Sequence, residues 1–451
     1  MKRALPRVLI AGTSSGCGKT TAAAAILTLL RRRGVAISAA KCGPDYIDPM
    51  FHEAVLGAPS SNLDPFFSDG NLLRSTLARS GGALAVVEGV MGYYDGTGAD
   101  GCENSTYTVA RETGTPALLV VNGRGAYASL LALIEGFLNF VPESGIRGVL
   151  FSNVTPMTYA GLKKLVGARF GDRIAAAGYI PRLPEDCLLG SRHLGLVTAA
   201  EIPDLSEKLG KIADLCEKTV DLDAVLALAE AAEPLEYEPP SVRHYPPVTL
   251  ALARDEAFCF VYPDTLRLLS DMGAEIVPFS PLGNEPVPEG ADGLLLPGGY
   301  PELRAEELEA NEVFRESVRE AVLSGMPTVA ECGGFQVLGE ELAGRRMCGV
   351  LPHASADAGK LVRFGYCTLT ARGDGLLGRA GTALPAHEFH YWDSTDCGAD
   401  FRAEKPNGKS WDCAVHTETL YAGYPHLYLP ACPGAAESFY EKCLAYKENK
   451  L

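Results

Sequence analysis

The sequence predicts an α/β protein of two domains, each a mostly parallel sheet flanked by helices. Three observations predict it. Short apolar, β-branched runs alternate with helix-favouring stretches from Arg7 to about Ala232, and a second alternation begins at Val248. Such alternation means strands covered on both faces by helices. The stretch between them, Glu233 to Pro247, holds five prolines and no periodicity, which reads as a linker. Finally, 451 residues exceed one ordinary core. The predicted plan is therefore a domain over 1–232, a linker over 233–247 and a domain over 248–451.

The first domain opens with the apolar strand Val8–Ala11, which runs into Gly12-Thr13-Ser14-Ser15-Gly16-Cys17-Gly18-Lys19-Thr20 and then a helix over Thr20–Arg33. A buried strand, a glycine-rich turn and a helix N-terminus make a phosphate cradle, because backbone N–H groups and the helix dipole both favour an anion. Lys19 would reach the β- and γ-phosphates and Thr20 would place its hydroxyl on Mg²⁺. The loop is a variant: Gly12 stands one residue early and Thr13 fills the usual first-glycine position. Further strands are predicted at Val35–Lys41, Leu84–Glu88, Ala117–Asn122, Ile146–Ser152 and Ile174–Tyr179. Helices are predicted at Ala126–Phe140, Tyr159–Phe170 and Leu205–Ala232. Two acidic segments follow strand ends, where ligands of parallel sheets bind. One contains Lys41, Asp45 and Asp48; the other contains Glu88 and Asp95. Carboxylates there suit a metal, and Lys41 suits phosphate oxygens.

In the second domain, strands are predicted at Val248–Ala253, Glu275–Phe279, Gly293–Leu296 and Pro327–Glu331, with helices at Thr265–Met272 and Pro301–Leu323. Beyond Gly349 the chain grows rich in glycine and aromatics and its elements are poorly defined. Cys332 follows an apolar strand and precedes Gly333-Gly334 and a helix. This resembles a nucleophile elbow, in which a helix N-terminus favours the thiolate. Upstream, Gly298 and Gly299 offer backbone N–H groups for an oxyanion hole. His387 and His390 compete with His426 as the base, and His-x-x-His has no third ligand that would suggest a metal.

A net charge of −16 disfavours nucleic acid or an anionic membrane as partner, and no apolar segment is long enough to span a bilayer. Thirteen cysteines without a CxxC pair fit reduced thiols in a cytoplasmic protein.

Taken together, the variant phosphate loop, Lys41-Cys42-Gly43-Pro44-Asp45-Tyr46-Ile47-Asp48-Pro49 with His52, Glu88-Gly89-Val90-Met91-Gly92 with Asp95-Gly96, Ser191-Arg192-His193-Leu194-Gly195-Leu196 and His387-Glu388-Phe389-His390-Tyr391 closely resemble the cobyrinic acid a,c-diamide synthase family. The loop variant is shared with dethiobiotin synthetases. The resemblance implies a P-loop NTPase-like domain followed by a class I glutamine amidotransferase-like domain. It implies ATP and Mg²⁺ as cofactors, L-glutamine as nitrogen donor, and amidation of two carboxylates of cobyrinic acid through acyl phosphates in cobalamin biosynthesis. Gly12, Thr13, Gly16, Gly18, Lys19, Thr20 and Lys41 would bind the nucleotide. Thr20, Asp45 and Glu88 would hold the metal, and Asp48 and Asp95 would act near the acceptor carboxylate or the ammonia. Ser191, Arg192 and His193 would bind the macrocycle's other carboxylates. Cys332 and His426 would form a dyad with Gly298 and Gly299 as oxyanion hole, since Tyr428 stands where the wider amidotransferase class has a glutamate. The His387–Tyr391 segment would face the synthetase site. Asn122 departs from the family's aspartate. Hydrogenobyrinic acid and a nickel sirohydrochlorin remain alternative acceptors, a homodimer is compatible with the resemblance, and the rival of another class is a MinD/ParA-like ATP-driven switch, which usually carries a lysine early in the loop, where this chain has Thr13 and Ser14, and has no fused thiol domain.

Overall fold

In the computed structural model the chain divides into two compact units, Met1–Pro240 and Ser241–Leu451. The structure describes residues 1–98, 101–187, 191–192, 195–196 and 204–450.

Seven strands form the sheet of the first unit: β1 (Arg7–Gly12), β2 (Ile37–Cys42), β3 (Ser60–Leu63), β4 (Leu84–Glu88), β5 (Ala117–Asn122), β6 (Ile146–Ser152) and β7 (Ala175–Ile180). All are parallel, in the order β3-β2-β4-β1-β5-β6-β7. The central β1 is buried along its whole length. Its alternate residues feed two separate cores, Val8 and Ile10 on one face and Leu9 and Ala11 on the other. The helix Lys19–Arg32 packs Ala22–Ala25, Ile26, Leu27, Leu29 and Leu30 on the Val8 face, so the turn between strand and helix is fixed from both sides.

The second unit has a six-stranded sheet in the order β9-β8-β10-β11-β17-β16. It comprises β8 (Val248–Ala253), β9 (Ala274–Phe279), β10 (Gly293–Leu296), β11 (Thr328–Glu331), β16 (Val415–His416) and β17 (Leu420–Gly423), and only β16 runs antiparallel. The stretch past Gly349 supplies a second, antiparallel sheet: β12 (Arg363–Ala371), β13 (Ala383–His390), β14 (Phe401–Glu404), β15 (Ser410–Cys413) and β18 (His426–Leu427), in the order β15-β14-β12-β13-β18.

Three elements differ from the sequence-based expectation, each for a local reason. The stretch Leu205–Ala232 is two helices, Leu205–Cys216 and Leu222–Glu230, because the Asp221 carboxylate accepts from the Ala224 N–H and starts a new helix. The stretch Pro301–Leu323 breaks at Asn311, whose amide donates to the Pro281 and Leu282 carbonyls. The proline-rich stretch is anchored at both ends: Leu235–Glu236 pairs with Lys2–Arg3, and Tyr245 stacks on Tyr440 at 5.0 Å.

One buried charge ties the first sheet to its neighbouring loop. Arg7 is 1 % exposed, and its guanidinium donates to the Leu5 and Thr113 carbonyls at 2.9 and 2.7 Å and to the Thr115 hydroxyl at 3.2 Å. Burial lowers it to about 10, which leaves it charged at neutral pH. Arg7→Leu strands these buried acceptors and is expected to destabilise the first unit by about 2–4 kcal/mol. Chemical denaturation followed by a probe in that unit measures the loss; an unchanged midpoint would refute this account of Arg7.

Candidate active sites

The phosphate loop of the first unit is shaped by glycine where side chains would collide or strain the backbone. Gly16 and Gly18 have φ of 72° and 105°. A Cβ on Gly12 would lie 2.6 Å from the Cys17 sulfur and 2.7 Å from Lys19 Cδ, so the early glycine makes room for the lysine to fold back across the loop. Thr13 carries no such constraint; its N–H donates to the Val120 carbonyl at 3.3 Å. Lys19 Nζ donates to the Ser14 carbonyl at 2.9 Å, and burial lowers its ammonium. No acid occupies the first turn of the helix that follows, so its N-terminal dipole is left for an anion.

Next to the loop, Glu88 is a buried hub. Its Oε1 accepts from Thr20 Oγ1 at 2.6 Å and from Lys41 Nζ at 3.0 Å, and its Oε2 lies 3.1 Å from His52 Nε2. Lys41 Nζ also lies 2.5 Å from Asp48 Oδ2. Burial opposes every charge here. Lys41 overcomes it through the Asp48 and Glu88 carboxylates and stays protonated, while Glu88 overcomes it through Lys41 and His52 and stays ionised below the usual carboxylate range. Asp48 does not: burial and the Glu88 charge outweigh Lys41, and its carboxyl is pushed well above the usual range. Asp45 stands in the same cluster, with its charge felt at Lys41 and Asp48. Its Oδ1 accepts from the Ile47 N–H at 2.8 Å and the Asp48 N–H at 3.3 Å, the first two N–H groups of the helix Ile47–Leu56. Asp95 accepts from the Gly92 N–H at 2.8 Å, and its charge reaches Lys19. The adjacent Tyr93 N–H donates to the Gly12 carbonyl at 2.8 Å, which joins the two loops. Asn122 Oδ1 accepts from the Arg124 N–H at 3.0 Å and so holds its own loop.

The structure thus brings Lys19, Thr20, Lys41, Asp45, Asp48 and Glu88 together with Asp95. The Thr20 hydroxyl and the Glu88 carboxylate, adjacent hard oxygen donors at the loop, fit Mg²⁺. Among the described residues, no three His, Cys, Asp or Glu side chains form a metal-holding group. Ser191–Arg192 forms a short strand antiparallel to Gly195–Leu196, and His193 lies outside the described residues.

In the second unit Cys332 has φ 48° and ψ −104°, a strained conformation for a non-glycine residue, held by the bond from its N–H to the Gly423 carbonyl at 2.7 Å. Small neighbours permit it: a Cβ on Gly334 would lie 1.9 Å from the Leu296 carbonyl oxygen. Gly298 separates the two reactive side chains, since a Cβ there would lie 3.3 Å from Cys332 Cβ and 2.4 Å from His426 Cε1. A Cβ on Gly333 would lie 3.2 Å from the Gly299 nitrogen, so the Gly299 N–H stands beside the elbow. The thiolate expected from a helix N-terminus is not found. Burial, reinforced by the Glu302, Glu331 and Glu388 charges, pushes the Cys332 thiol up, and the Gly333 N–H does not offset them. The helix is only Gly333–Leu338, too short for a strong dipole.

Sequence reasoning left unnamed the acid that stands nearest His426 Nδ1. Glu331, immediately before the nucleophile, places Oε2 3.6 Å from His426 Nδ1, while its Oε1 accepts from the Leu427 N–H at 2.9 Å. The signal was the acid at the end of an apolar strand, overlooked because the usual position after the histidine holds Tyr428, whose hydroxyl donates instead to Asp264 at 3.4 Å. His387 lies opposite His426 across the β13–β18 pair, and burial lowers it to about 3, so it stays neutral and is a poor proton acceptor. His390 Nδ1 bonds the Trp392 carbonyl at 2.6 Å.

Both units match known protein families. Residues 8–232 match the CobQ/CobB/MinD/ParA nucleotide binding domain, and residues 249–431 match the CobB/CobQ-like glutamine amidotransferase domain. The chain is 37 % identical over 441 residues to the cobyrinate a,c-diamide synthase of Listeria monocytogenes, covering 94 % of this chain and 96 % of the relative. It is 36 % identical over 447 residues to that of Salmonella typhimurium, covering 94 % and 95 %. It is 33 % identical over 460 residues to that of Thermoplasma volcanium, covering 99 % of both chains. With a phosphate loop around a buried glutamate in one unit and a strained cysteine beside a glutamate-backed histidine in the other, the chain belongs to the cobyrinate a,c-diamide synthase family.

Proposed function

We propose that this protein catalyses the ATP- and glutamine-dependent amidation of the a and c side-chain carboxylates of cobyrinate in cobalamin biosynthesis. The observation that carries the reading is the strained Cys332 beside His426 and Glu331 in a chain that also holds a phosphate loop. The thirteen unbridged cysteines suit the reducing cytoplasm.

At the second site His426 takes the Cys332 proton, and the sulfur attacks the carboxamide carbon of glutamine. The Gly298 and Gly299 N–H groups receive the developing oxyanion. The C–N bond breaks as His426 returns the proton to the leaving nitrogen, and water, deprotonated by His426, then releases glutamate from the thioester. Glu331 holds the imidazole at Nδ1 and balances its charge while it carries the extra proton.

At the first site a carboxylate oxygen of the corrinoid attacks the γ-phosphorus of ATP, which forms an acyl phosphate and releases ADP. Lys19 and the loop amides hold the phosphates, and Lys41 keeps the buried carboxylates in place. Mg²⁺, held by Thr20 and Glu88, supplies positive charge to the phosphate oxygens when bound. Ammonia then attacks the acyl carbon and phosphate leaves. Asp48 and Asp95 act near the acceptor carboxylate or the incoming ammonia, Asp95 beside Lys19. Ser191, Arg192 and His193 engage the remaining carboxylates of the ring.

Incubation with ATP, Mg²⁺, glutamine and cobyrinate is expected to give the diamide, read by mass spectrometry, with ATP hydrolysis dependent on the corrinoid acid. Hydrolysis indifferent to any carboxylate acceptor would overturn the reading. Cys332→Ala is expected to abolish synthesis from glutamine while ammonia still supports it, because only the nucleophile of the second site is lost. Glu331→Gln keeps the shape but removes the charge behind His426, and is expected to lower glutamine-dependent kcat by roughly 10²–10³-fold without impairing the ammonia-dependent reaction. Equal losses with the two nitrogen donors would refute the role given to Glu331.

A further inference from the structure

The chemistry of the first site gives no part to His52, although its imidazole is bonded directly to Glu88. His52 is 1 % exposed, and both ring nitrogens are engaged within the protein: Nε2 lies 3.1 Å from Glu88 Oε2 and Nδ1 lies 3.3 Å from Ser60 Oγ. An ionised carboxylate only accepts, so Nε2 carries a proton and donates. The Ser60 hydroxyl can turn to donate to Nδ1 or to accept from it. The Nε2–H is therefore presented to Glu88 whether the ring is neutral or charged.

The backbone fixes this ring through one helix-to-strand turn. Asp48 and His52 stand one turn apart on the helix Ile47–Leu56, and both reach the cluster, Asp48 through Lys41 and His52 directly. Gly57 ends the helix with φ 57°, and the Ala58 N–H donates to the carbonyl of His52 itself at 3.2 Å. The chain thereby turns back into β3, where Ser60, 4 % exposed, is held opposite Ala39 of β2. Both hydrogen bonds of the imidazole thus end on groups set by the sheet, Ser60 at the start of β3 and Glu88 at the end of β4.

The division of the Glu88 oxygens depends on that donor. Oε1 accepts from Thr20 Oγ1 at 2.6 Å and from Lys41 Nζ at 3.0 Å, while Lys41 is also drawn to Asp48. Without His52, Oε2 would be a buried oxygen lacking a donor, and the carboxylate would gain by rotating toward the shared ammonium and away from Thr20. We propose that His52 is a positioning residue: it pins Glu88 Oε2 and thereby holds Oε1 beside the Thr20 hydroxyl, in the orientation that takes Mg²⁺. This rests on the reading of Thr20 and Glu88 as the oxygens that hold Mg²⁺. The imidazole is not itself a ligand, since Nε2 is bonded to the carboxylate and Nδ1 to Ser60.

The test measures binding of Mn²⁺, as the probe ion, to the full-length protein with ADP, by electron paramagnetic resonance against a protein-free ADP control. His52→Gln sets an amide N–H near the place of Nε2, whereas His52→Asn is too short to reach Glu88 and keeps only the side facing Ser60. The expected result is a Mn²⁺ Kd raised about 10- to 100-fold in His52→Asn and within about threefold of the parent in His52→Gln. In turnover, His52→Asn is expected to need more Mg²⁺ for its half-maximal rate, with the KM for glutamine changed by less than about twofold. An unchanged Mn²⁺ Kd in His52→Asn overturns the positioning role, and so does an equal loss in both variants, which a ring that only fills space would give. If His52→Asn does not fold, Ser60→Ala, which removes the hydroxyl behind the ring, is expected to raise the Mn²⁺ Kd about two- to fivefold, and an unchanged Kd overturns the role. A parent that binds no Mn²⁺ with ADP, or Glu88→Gln that binds it as tightly as the parent, would instead refute the assignment of the metal oxygens, so the two failures are distinguishable.

Discussion

Both units depend on a glutamate that ends a buried parallel strand. Glu88 closes β4 and Glu331 closes β11, and each of these strands has a neighbour on both edges, with Glu88 itself paired to Ile10 and Lys41 and Glu331 to Gly423. A parallel strand with neighbours on both edges cannot shift register without exposing its apolar residues, so its last side chain is aimed by the whole sheet. Each glutamate then divides its two oxygens. Glu88 gives one to Thr20 and Lys41 and the other to His52; Glu331 gives one to the Leu427 N–H and stands with the other 3.6 Å from His426 Nδ1. Positioning by a sheet end replaces the flexibility that a surface carboxylate would have.

The first unit concentrates two carboxylates, an ammonium and an imidazole where water is scarce. Desolvation disfavours every one of these charges, and the cluster persists because each is bonded to its opposite. The balance is uneven: Lys41 serves both Glu88 and Asp48, and the burden falls on Asp48. Glu88 keeps its charge because three donors surround it, whereas Asp48 relies chiefly on one. The resulting asymmetry separates two similar side chains into an anion that holds a cation and a carboxyl able to exchange a proton.

Much of this was legible in the sequence because it rests on local patterns. The alternation of strands and helices, the phosphate loop, the strand-end glutamate beside it and the cysteine elbow each occupy a few contiguous residues whose types have physical meaning. The displaced glycine became intelligible only in three dimensions, where Gly12 clears space for Cys17 and Lys19. The role of Glu331 was hidden because it is set by a contact between residues 331 and 426, brought together by the pairing of β11 with β17 and the turn into β18. The antiparallel sheet past Gly349 was equally hidden. Its strands alternate buried and half-exposed residues with glycine and aromatics between, a weaker signal than the continuous apolar runs of the parallel strands.

The state of Cys332 follows from the same placement of charge. An elbow cysteine near a helix start would ordinarily lean toward the thiolate, but here a short helix is set against burial and three carboxylates, and the thiol keeps its proton. Glu331 stands 3.6 Å from His426 Nδ1, so its repulsion of the thiolate comes with its place beside the imidazole.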